Sequence, residues 1–168
     1  MAVDTKTRNL RDGTYIIQDG ASAALTLTLD EGDLKWTEVG TETIEVKDRG
    51  VLSHTRPGDQ MSCSLSFTVK WVQLIGDTIS GSSDGTLFYE FVTNRHNTYV
   101  STLSAGEQFA LRHIWEVAAP GGGGGSTNER ITFEKVYRES VEMSEGNEYN
   151  TIAFSGRDFE VRPTIVRF

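Results

Sequence analysis

Leu65-Ser66-Phe67-Thr68-Val69-Lys70-Trp71 sets a large apolar side chain at every second position, with small or charged residues between them. A period of two marks a strand with one face in a core and the other in water. Four apolar residues on one side are enough to commit this stretch to a sheet.

The same period recurs on both sides. Leu25-Thr26-Leu27-Thr28-Leu29 and Thr43-Ile44-Glu45-Val46-Lys47 precede it. After it, Phe109, Leu111, His113, Trp115 and Val117 alternate, as do Ile131 with Phe133, Val141 with Met143, Ile152 with Phe154, and Phe159 with Val161. Turn residues fall between the runs. Asp12-Gly13 and Asp19-Gly20 bracket a short first strand, Thr14 to Gln18, and Asp30-Glu31-Gly32-Asp33 reads as a turn before Leu34-Lys35-Trp36. Glu145-Gly146-Asn147-Glu148 reads as a hairpin connection, and Ser155-Gly156-Arg157-Asp158 as a β turn.

One segment departs from this period. Ser82-Ser83-Asp84-Gly85 offers N-capping side chains, and Leu87, Phe88, Phe91 and Val92 then share a helical face. A single short helix is expected from Thr86 to about Asn94, covering an open end of the sheets.

Two further stretches read as loops. Asp48 to Asp59 lies between strands and is too long for a tight hairpin; long loops in compact chains are functional or mobile. Residues 120–128 hold Pro120, Gly121 to Gly125 and Ser126, which have little to pack and much backbone entropy. A natural surface loop and an engineered insertion both fit that composition, and neither makes a domain boundary. All 168 residues are read as one domain.

Composition narrows the function. The formal charge of -8 disfavours gripping nucleic acid through a basic patch. Cys63 is the only cysteine, so neither an intrachain disulfide nor a cysteine zinc site can form, and it reads as a small structural residue. Met1 to Leu10 has no secretory character, and no apolar run approaches ~18 residues, so a soluble chain without a membrane partner is expected. The histidines are His54, His96 and His113, with no metal-binding spacing; His113 falls on the inward side of its strand. No serine elbow, phosphate loop or calcium loop occurs, and Glu139 and Glu142 read as pointing to solvent or a partner. The expectation is a protein without catalytic residues, cofactor or metal, working through its surfaces. Edge strands, the Asp48 to Asp59 loop and an N-terminal arm over residues 1–12 are the candidate surfaces.

In order and local character these segments resemble the major tail tube proteins of tailed bacteriophages, those of long non-contractile tails in particular. Three regions carry the resemblance. The first is the strand-loop-strand from Ile44 to Trp71, containing Asp48-Arg49-Gly50 and Arg56-Pro57-Gly58-Asp59. The second is the short helix near Leu87 to Val92. The third is the closing run from Arg130-Ile131-Thr132-Phe133 to Phe154-Ser155-Gly156-Arg157-Asp158.

The resemblance implies a mainly β fold, a tail-tube-type β-sandwich or partial barrel with one short α-helix and a long inter-strand hairpin loop. It further implies homo-hexameric rings stacked into an acidic-walled tube, with contacts between rings from Arg49, Leu52, His54, Arg56 and Asp59. The implied partners are other copies, a tape-measure protein and transiently DNA in the lumen, and other tail proteins at the tube ends. The implied location is the virion, after synthesis in the host cytoplasm. The competing readings are another tail ring, such as a terminator or distal tail protein, or a carbohydrate- or ligand-binding β-sandwich using Trp36, Trp71 and Trp115.

Overall fold

Alternating runs become strands only where each finds a neighbour for its backbone, so the ladders define the architecture. The computed structural model describes residues 13–27, 29, 34–71, 74, 87–95, 97–117, 128–146 and 148–168. The 1–12 arm, the Asp30–Asp33 turn, Ser82 to Thr86, His96 and residues 120–127 of the glycine-rich loop lie outside the described residues.

The strands are β1 (Gly13–Gln18), β2 (Ala24–Leu27), β3 (Lys35–Thr37), β4 (Thr41–Asp48), β5 (Val51–Gln60), β6 (Cys63–Lys70), β7 (Ala110–Val117), β8 (Glu129–Ser144), β9 (Thr151–Asp158) and β10 (Thr164–Arg167); α1 (Phe88–Thr93) lies between β6 and β7. One sheet runs β2-β1-β7-β8-β9-β6-β3, with β10 also on β8, and its strand pairs among the described residues are antiparallel. β4 and β5 form a separate two-stranded sheet.

The long β8 hinges the large sheet. Its first half pairs with β7 through Tyr137, and its second half pairs with β9 from Val136 onward. Bulges at Leu111/His113 and at Arg138/Ser140 bend the ladders there, as inserted residues do. Strands far apart in the sheet order therefore face each other. The Tyr15 and Phe67 rings lie 4.8 Å apart, His113 and Phe154 5.4 Å, and Trp36 and Trp115 5.6 Å. The result is a two-layered, open sandwich, with a bridge from Leu29 to Val69 approaching closure.

The core follows the alternation. Leu65, Phe67 and Val69 are buried, and they stack beside Ile152 and Phe154 of β9. Phe88, Phe91 and Val92 of α1 join the same cluster. The helix is shorter than expected, because Leu87 is its N-cap and only half-buried, without a side-chain hydrogen bond. It ends at Asn94, which takes the left-handed conformation (φ 45) that asparagine tolerates at a helix end.

Three expectations are corrected. Asp48 to Asp59 is no loop: it is a two-residue turn at Arg49-Gly50 followed by β5. Positive φ at both turn residues (49 and 84) matches a type I′ connection, whose twist suits a hairpin. Ser155 to Asp158 lies in β9, where ladders on both sides override the turn character of Gly156. Phe159 and Val161 form no strand. Phe159 is exposed, and the closing strand is Thr164–Arg167.

Candidate assembly surfaces

The sandwich is held at its joints by two buried carboxylates. The Oδ1 of Asp19 accepts from Ala21 N–H at 3.0 Å and Ala23 N–H at 2.9 Å, and its Oδ2 accepts from Val100 N–H at 3.2 Å. Gly20 follows because the Ser101 carbonyl sits 2.5 Å from where its Cβ would be.

Asp158 ends β9 with no exposed surface and accepts the Lys135 N–H at 3.0 Å. Burial raises its pKa to about 6, partly opposed by backbone hydrogen bonds from Lys135 and Glu160. Its strand partner Cys63 is also buried, and burial together with the Asp158 charge pushes that thiol up to about 11.

His113 lies where the alternation put it, fully buried, with Nδ1 2.9 Å from the Tyr15 hydroxyl. Burial lowers its pKa to about 3, so it stays neutral and suits a proton donated by Tyr15. It is a core residue.

The tryptophans are committed inward. Trp36 and Trp115 meet edge to face, and all three pack against the core. Among the described residues, no group of three or more His, Cys, Asp and Glu converges on a point, and no helix is long and apolar enough to cross a membrane.

What projects is the β4–β5 hairpin. Its register pairs Ile44 with Arg56 and Val46 with His54, so these four share one face. Arg56 Nε donates to His54 Nε2 at 3.2 Å across that face. Glu45 and Lys47 lie 3.6 Å apart on the other. Both faces are in water. Val51 is 70% exposed and Leu52 53%. Of the expected contact residues, the structure brings His54 and Arg56 together. Arg49 sits at the tip, Leu52 faces Lys47, and Asp59 lies toward the root, roughly 30 Å from the tip at strand spacing.

Elsewhere on the sheets, cross-strand ion pairs match arginine to glutamate: Arg112 with Glu134 at 2.6 Å, Arg130 with Glu116 at 2.6 Å, Arg157 with Glu139 at 2.7 Å and Arg167 with Glu129 at 2.9 Å. Partly exposed pairs of this kind each contribute at most about 1 kcal/mol. On the hairpin, Arg56 meets a histidine instead.

The outward face of β3, β6, β9 and the second half of β8 carries many small hydroxyl residues among charged ones. Ser66, Thr68, Ala153, Ser155, Ser140 and Glu142 line a shallow trough there. Sequence reasoning missed this surface as a unit, although the residues between the apolar positions of each strand spell it out.

The architecture is tail-tube-like. The chain is similar in fold to the anti-feeding prophage cap, described as a tube-terminating cap, with a TM-score of 0.54 at 12% identity over 100% of this chain and 95% of that one. A chain of the anti-feeding prophage baseplate, solved 6-fold symmetrised, gives 0.56 at 10% identity over 99% and 97%. The sheath/tube terminator of PVC, an extracellular contractile injection system, gives 0.51 at 10% over 90% and 92%. No protein-family model and no curated protein sequence matches the chain.

Proposed function

We propose that this chain is a structural tail component that assembles with copies of itself into stacked hexameric rings, a phage-type tail tube through which DNA leaves. The observation that carries the reading is the bare β4–β5 hairpin. An isolated two-stranded ribbon is marginal in water, and this one keeps both faces exposed. Its exposed Ile44, Val51 and Leu52 gain free energy only when another surface covers them. On this reading the hairpin crosses to the next ring, with Arg49, Leu52, His54, Arg56 and Asp59 in the contact. The fold shared with a chain of a 6-fold symmetrised baseplate supports the ring number. Tape-measure protein and DNA would occupy the lumen, other tail proteins the tube ends, and the virion is the place of work.

The free, hydroxyl-rich face of the four strands is the natural lumen wall, because the other face carries the second layer and the helix, which need the larger outer radius. Its charges are mixed: Lys35, Lys70 and Arg157 stand with Glu139 and Glu142. Sliding without sticking then rests on small hydroxyls and on the net charge of -8 per chain, with no need for a uniformly acidic wall.

A second reading is favoured by the similarity in fold to the cap and the terminator: a ring that ends a tube instead of repeating along it. The test is to compare the assemblies of the intact protein with those of an Arg56→Glu, Leu52→Ser variant by electron microscopy. The tube reading expects long tubes from the first and separate rings from the second. Single rings from both would favour the terminal ring, and monomers from both would remove ring assembly altogether.

A further inference from the structure

The bulge between Arg138 and Ser140 sets two residues of β8 against one of β9, and Glu139 is the residue left over. Ser140 and Glu142 face outward with Ser155 and Ala153, so strict alternation would turn residue 139 toward the core. The bulge brings it back to the outward face. There its Oε1 accepts from the Arg157 Nε at 2.7 Å. Gly156 lets the two backbones close at this point, since a Cβ would lie 2.7 Å from the Tyr137 carbonyl oxygen.

The pair is unlike two others on the sheets. Arg130 with Glu116 and Arg167 with Glu129 stand directly opposite each other on their ladders, where cross-strand pairing supplies the contact. Arg157 stands opposite Tyr137 and Ser64, and gains a carboxylate only through the inserted residue. Stability is a weak reason for the arrangement. The two side chains are 44% and 40% exposed, and ion pairs that open to water contribute little.

Charge control is the stronger reason. Arg157 shares the hydroxyl-rich face with Lys35 and Lys70. Lys70 is held too, with its Nζ 4.5 Å over the Tyr149 ring. A free arginine is the side chain best able to grip a phosphate backbone, because its planar guanidinium offers two parallel hydrogen bonds to phosphate oxygens. Glu139 takes up the Nε donor and offsets the charge, so an incoming phosphate must displace a carboxylate first.

We infer that Glu139 masks Arg157 and so keeps this face from gripping nucleic-acid backbone, with the β8 bulge as the device that positions it. This rests on the reading that the face lines the lumen, and names the residue that keeps that wall from sticking.

The test measures DNA binding by assemblies of the full chain. The unmodified protein, Glu139→Ala, Glu142→Ala and the double variant Glu139→Ala, Arg157→Gln are each co-sedimented with a short fluorescent DNA duplex at low salt. Circular dichroism checks that every variant keeps its sheet, and Glu139→Gln replaces Glu139→Ala where alanine disturbs the bulge. Glu139→Ala and Glu142→Ala remove the same charge from the same face, but only the first uncovers Arg157. The expected result is an affinity about tenfold higher for Glu139→Ala than for Glu142→Ala, lost at high salt and lost in the double variant. The bound duplex is also expected to resist nuclease, as DNA inside a lumen would. Equal binding by the two single variants, or binding that survives in the double variant, overturns the mask while the tube reading stands. Binding that follows the expected order but leaves the DNA open to nuclease supports the mask and overturns the lumen placement of this face. If the unmodified protein never assembles, both fall.

Discussion

At the scale of the residue, two buried groups hold opposite protonation preferences. The Asp158 pKa is raised to about 6, so the folded state binds a proton that the unfolded state releases near 4, and stability falls as pH rises through that interval. The His113 pKa is lowered to about 3, so the unfolded state binds a proton below about 6.5 that the core refuses, and stability falls as pH drops through that interval. Between about pH 4 and 6 the two slopes oppose each other. Asp158→Asn therefore gains on the parent protein by about 1–2 kcal/mol as pH goes from 4 to 7, measured by urea unfolding. His113→Gln is destabilising at pH 7 through packing but loses ground more slowly than the parent below pH 6. An Asp158→Asn difference that does not change with pH would contradict the buried-acid account. His113 was legible in the sequence, because alternation fixes which way a strand residue points. Asp158 was not, because Ser155-Gly156-Arg157-Asp158 has turn chemistry, and only the two flanking ladders place it in β9.

At the scale of the element, legibility followed burial in the large sheet, while β4 showed its alternation without a buried face. β6, β7, β8 and β9 each have one face in the core and write that face as a period of two. β5 has no buried face, so Val51 to Gln60 carries no pattern, and its Pro57-Gly58 reads as a loop. The type I′ turn that would have announced the hairpin holds Arg49 in place of the usual asparagine or glycine. Because the hairpin is a sheet of its own, replacing residues 42–59 by a short glycine-serine connection is expected to shift the calorimetric Tm by less than about 3 °C. A loss of cooperative unfolding would place the hairpin in the core. The helix behaves oppositely: Phe91 is fully buried and meets Tyr99 edge to face at 4.5 Å. Phe91→Ala should cost about 3–5 kcal/mol in urea unfolding.

At the scale of the whole molecule, the sandwich is complete within the chain and its periphery is not. Among the described residues, fifteen buried ones form one core from both layers and the helix. Among the same residues, the hairpin keeps both faces exposed, and the second half of β8 and the outer edge of β3 each have one strand neighbour. The β class and the short helix could be read from the sequence, since burial writes them there, whereas β5 of the exposed hairpin read as a loop. The free edges could not, since pairing depends on where each ladder stops. On the proposed reading, copies of this chain assemble with one another. Electron microscopy of the purified, unmodified protein at rising concentration is the test. Rings of six-fold symmetry, stacked into tubes, are the predicted result, and a protein that stays monomeric at every concentration would contradict it.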